Sequence, residues 1–141
     1  MFLHQLQQIV WYAAALSVFA FAAWKGDWPE RTAAAACALA SVVTPFAISH
    51  RWFDPQWGVL AIDTALFAVL LWLALATNRT WVLFIAAFQL LSVVTHLAMM
   101  IDKGVAPLPY RRGLVIWSYL TLPPLAIGAW QAWRERRSGS D

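Results

Sequence analysis

The chain has 141 residues, 62% of them apolar and only 12% charged, with a formal charge of +3. A soluble domain carries about 25% charged residues, so this sequence lacks the polar groups to cover a water-facing surface, and little is left over for a second, soluble domain. Its basic residues are confined to loops and the tail, which argues for membrane topology and against a nucleic-acid surface. The single cysteine, Cys37, excludes an intrachain disulfide, a CxxC redox pair and a cysteine-rich zinc site.

Five stretches approach the roughly 20 apolar residues that cross a hydrocarbon core. The first runs over about 6–24. Residues 2–8 hold neither Lys nor Arg, so this stretch reads as a retained helix rather than a secretory signal, despite the triplet Ala20-Phe21-Ala22. His4, Gln5, Gln7 and Gln8 crowd its opening turn, which makes it the least apolar at its start. A breaker-rich loop, Lys25 to Arg31, ends it.

The second span, 32–50, is alanine-rich and repeats small polar residues at Cys37, Ser41 and Thr44, a face suited to close helix packing or to a partner helix. Pro45 is expected to kink it near its end. The third and fourth spans, 57–77 and 80–101, are joined only around Asn78-Arg79, which dictates an antiparallel hairpin. A longer polar connection from Asp102 to Arg112 precedes the fifth span, 113–133, where Pro123-Pro124 predict a bend. Residues 134–141 form a polar tail, read as mobile.

The sequence therefore predicts an all-α polytopic transmembrane helix bundle of about five spans with short loops, as one domain in the lipid bilayer. Tryptophan supports these boundaries. Trp24, Trp28, Trp52, Trp57, Trp81, Trp130 and Trp133 all fall at span ends, where amphipathic rings favour the membrane–water interface. Lys25, Arg31, Arg79, Arg134, Arg136 and Arg137 share one side, against Arg51, Lys103, Arg111 and Arg112 on the other. The positive-inside rule then gives an outer N-terminus and a cytoplasmic C-terminus. The Ala-, Trp- and Arg-rich, Lys-poor composition is like that of a high-GC bacterial genome and suggests the inner membrane.

Asp63 is the one charged residue inside a span, about 9 Å along the third helix from Trp57. Topology brings His96 to similar depth, with His50 and Asp102 nearer the surface on the same side. On the fourth helix Gln89, Ser92, His96 and Lys103 form a polar stripe within about 60°. Such a stripe must face protein or water, because hydrocarbon does not solvate it.

Four readings of this cluster follow. Asp63 and His96 can relay protons or bind a cation in a small transporter. They can serve as acid and base in a membrane enzyme. His50 and His96 can hold a metal or haem, with Met100 as a soft ligand beside them. Or Asp63 and His96 form a structural pair that fixes helix register. The sequence has no HExxH, GxSxG or phosphate-binding glycine loop, so the common signatures of zinc proteases, serine hydrolases and nucleotide-driven pumps are missing. Two functions remain in view: an accessory or assembly protein that meets a membrane partner or a second copy through the Cys37/Ser41/Thr44 face, and a small proton- or cation-coupled carrier centred on Asp63 and His96.

Overall fold

A computed structural model describes residues 2–48, 56–102 and 107–139. Among the described residues it has six helices: α1 (Phe2–Lys25), α2 (Trp28–Ala47), α3 (Trp57–Ala76), α4 (Thr80–Ile101), α5 (Pro107–Leu120) and α6 (Leu122–Ser138). The protein is an all-α helical bundle. Four segments are long and apolar enough to cross a membrane: Leu6–Lys25, Trp57–Ala76, Thr80–Ile101 and Leu108–Ser138. The last joins α5 and α6. α2 has a comparable length but opens with Glu30 and Arg31 and contains Pro45, which keeps it outside this apolar set.

Hydrophobic side chains on the outside explain why such a chain needs lipid. Ile9, Leu16, Leu39, Phe46, Leu75, Leu83, Ile101 and Ile116 are all exposed on the bundle surface. A soluble monomer rarely leaves so extensive an apolar surface uncovered. The interior is instead built on small residues and close helix approach. Ala22 of α1 and Ala33 and Ala34 of α2 pack with Leu70 and Leu73 of α3. Trp81, Val82, Ile85 and Ala86 of α4 and Leu125 and Ala129 of α6 complete that core.

All these core positions lie toward the end that carries Lys25, Arg79 and Arg136. Cross-helix polar contacts close the same end. Arg136 donates to the Lys25 carbonyl, and its Nη1 lies 3.4 Å from Asp27. Arg79 lies 3.3 Å from Glu135 and 3.9 Å from Asp27.

Several boundaries differ from the sequence reading. α2 starts at Trp28 and ends at Ala47, rather than spanning 32–50, because Pro29 is tolerated in a first helical turn. The connection before the fifth span is shorter than expected: α5 starts at Pro107, and Pro109, Tyr110, Arg111 and Arg112 are helical. Proline in the first turn removes only N–H groups that have no helical acceptor there. The break predicted at Pro123-Pro124 falls at Thr121, two residues earlier. Those prolines occupy the second and third positions of α6 and leave the Tyr119 and Leu120 carbonyls without helical donors.

The tail is not a mobile appendage through its first five residues, since α6 continues to Ser138 and its Glu135 and Arg136 are docked. Trp81 is a further departure. It is buried rather than interfacial, against Gly128, where an added Cβ would sit 2.5 Å from the ring.

Candidate functional site

At the opposite end the helices enclose a partly open cavity of about 350 Å³. Its rim includes Gln7 and Arg111, and Phe19 and Leu66 form its floor where they meet the packed core. α3 and α4 supply one polar wall. Asp63 of α3 and Gln89, Ser92 and His96 of α4 line it together, because α3 and α4 form a tight hairpin and the three α4 residues share one face.

The contacts are specific. Ser92 Oγ donates to Asp63 Oδ2 at 2.7 Å, and His96 Nε2 lies 3.1 Å from the same oxygen. Gln89 Nε2 donates to the Asp63 main-chain carbonyl at 3.2 Å. On the far side of the imidazole, Tyr110 Oη lies 2.6 Å from His96 Nδ1, its ring edge-on to the imidazole. His96 and Tyr110 are each only 3% exposed, whereas the Asp63 side chain keeps 16% of its surface.

Tyr110 and Asp63 hold the imidazole from its two sides. Ser92 and His96 both meet Asp63 at Oδ2, and which ring nitrogen of His96 carries the proton follows from whether Tyr110 donates to Nδ1 or accepts from it. Asp63 itself lines the cavity.

The sequence reading brought Asp63, Gln89, Ser92 and His96 together, and they meet. Asp102 does not join them: it caps the C-terminal end of α4, exposed and outside the cavity lining. His50 and Lys103 lie outside the described residues. Met100 is half-buried and does not line the cavity, and both His96 ring nitrogens are engaged within the chain. Among the described residues no three His, Cys, Asp or Glu side chains gather as a metal-binding group.

Tyr110 was missed because Pro107 and Pro109 were read as loop signals. Proline at the first position of a helix, followed by an apolar stretch, was the available clue.

The Cys37, Ser41 and Thr44 face also lines the cavity, rather than facing outward. Ser41 and Thr44 return their hydroxyl protons to the Cys37 and Ala40 carbonyls, which makes that wall less polar than its sequence implies. Trp11, Tyr12 and Tyr119 supply aromatic surface, and Tyr119 Oη ties α5 to α1 by donating to the Gln7 carbonyl. Comparisons with protein-family models, curated proteins and solved structures find no match.

Proposed function

We propose that the protein is a small ligand-binding carrier of the bacterial inner membrane, with Asp63 as the anionic anchor and His96 and Tyr110 holding it. The observation that carries this reading is the double role of Asp63. Its carboxylate is bonded into a largely buried network, and the same residue lines the cavity. The excess of Lys and Arg at the packed end supports a cytoplasmic position for that end, with the cavity on the outer side.

Energetics favour a function over a purely structural pair. An acid placed inside a span costs about 3 kcal/mol on insertion scales. Interhelical hydrogen bonds in membranes return about 0.6 kcal/mol each. The two α4 side chains that reach the Asp63 carboxylate return about 1.2 kcal/mol on that scale, less than half the insertion cost, and an apolar residue would hold the hairpin as well. The hydrogen-bonded line from Tyr110 through His96 to Asp63 also provides a proton path next to the ligand position.

A second reading, an accessory protein whose network fixes helix register for docking to a membrane partner or a second copy, is favoured by the same bonds joining α3, α4 and α5. Native mass spectrometry and thermal denaturation of the purified protein separate the two. The carrier reading expects a copurifying small molecule that Asp63→Asn loses while the unfolding temperature is kept. Loss of stability in Asp63→Asn with no bound molecule in either protein contradicts it.

A further inference from the structure

We infer that the cavity takes an organic ammonium ion with an apolar body, its charged nitrogen set against the Asp63 carboxylate. This inference rests on the ligand-binding reading above and adds the chemical class of the ligand.

Three observations lead to it. Asp63 lines the cavity, its carboxylate accepting from Ser92 and lying 3.1 Å from His96 Nε2. An acidic side chain therefore borders the cavity, and a cationic group is its complementary partner. Much of the rest of the wall suits an apolar body. Leu66, Val59, Leu114, Phe19 and Ala40 line it, and an inorganic cation, which requires six or more oxygens or retained water, gains nothing from them. Finally, Trp11, Tyr12 and Tyr119 line the same space, and aromatic faces attract organic cations shed of most of their water.

Arg111 is the one cationic side chain on the cavity wall among the described residues. It sits at the rim and is engaged in an interaction of its own, and neither hydrogen bond at the Asp63 carboxylate comes from it. Its position favours a ligand with one cationic end, carried deep toward Asp63, and an uncharged apolar end toward the rim.

The test titrates the full chain in a neutral detergent with three probes of one skeleton: 4-phenylbutylammonium, 4-phenylbutyltrimethylammonium and the neutral 4-phenylbutanol. Calorimetry should give saturable binding of both cations, about tenfold or more tighter than the alcohol, in keeping with a hydrogen bond or contact to a charged group. Asp63→Asn should erase that preference while circular dichroism keeps the helical signal. Should Asp63→Asn misfold, Trp11→Leu provides the second variant and should weaken the cations by a few-fold and leave the alcohol unchanged. Equal affinities for alcohol and ammonium would overturn the cationic assignment and leave the ligand-binding reading standing. Absence of saturable binding for all three would overturn the assignment too, and a bound molecule in native mass spectra would then still report on the broader reading.

Discussion

At Tyr110 a single hydroxyl orients the site, because it holds His96 Nδ1 at 2.6 Å and so directs Nε2 of the imidazole toward Asp63. Tyr110→Phe keeps the ring and removes that direction. The expected loss is small, about 0.5–1 kcal/mol, as for other interhelical bonds in membranes, read as a modest fall in unfolding temperature in detergent. Ligand binding should fall more than stability, since the imidazole is then free to turn away from the carboxylate. His96→Ala is a different kind of change. It empties a buried position and strands the Tyr110 hydroxyl, so about 2–4 kcal/mol of destabilisation is expected by thermal denaturation. If Tyr110→Phe and His96→Ala destabilise equally, the imidazole contributes little beyond its bond to the phenol, and the account of the network fails.

Helices meet closely at two glycines, and there element geometry is set by the absence of a side chain. Gly128 of α6 lies against the Trp81 indole of α4, and Gly58 of α3 lies against the Ala47 carbonyl of α2. Gly128→Ala must move Trp81 or α6, and overpacking of this kind costs about 1–3 kcal/mol, measurable by thermal denaturation. Gain of stability from the improved helix propensity of alanine would contradict the close approach.

The buried Glu30 is the third position of α2, and its carboxylate accepts the Asp27 main-chain N–H at 2.9 Å while its other oxygen has no hydrogen-bond partner among the described residues. Glu30→Gln should retain the cap and leave the unfolding temperature nearly unchanged, whereas Glu30→Ala should lose about 1 kcal/mol.

Asp63 and the α4 stripe were legible in the sequence because charge is rare in a span and helical spacing is rigid. Gly128 and Tyr110 were not. The need for glycine arises from a neighbour 47 residues away in sequence, Trp81, and the helical state of Tyr110 from proline at a helix start, where loop and helix signals coincide. Trp81 misled for the related reason that an aromatic residue near a span end reads as interfacial until its packing partner is known.

For the whole molecule the decisive feature is polarity along the bundle axis. One end holds the packed core and is tied by Arg79, Arg136, Asp27 and Glu135 beside a polar surface pocket, and the other holds the cavity above Phe19 and Leu66. The ion pairs at the packed end are partly exposed, so Arg79→Ala should cost no more than about 1 kcal/mol. Thermal denaturation at low and high salt should give a smaller difference from wild type at high salt. Helix packing, rather than these charges, thus closes the floor.

The central claim is that Asp63 borders a cavity reached from one side only. Cysteine accessibility tests it most directly, because Cys37 is the only native cysteine and can be replaced by alanine. In that background Ser41→Cys lies on the cavity wall and Leu73→Cys in the packed core. A small, charged, membrane-impermeant thiol reagent, applied to each side of sealed membranes in turn, should modify Ser41→Cys from one side and leave Leu73→Cys unmodified from both. Unreactive Ser41→Cys, or reaction of both positions, would contradict the account.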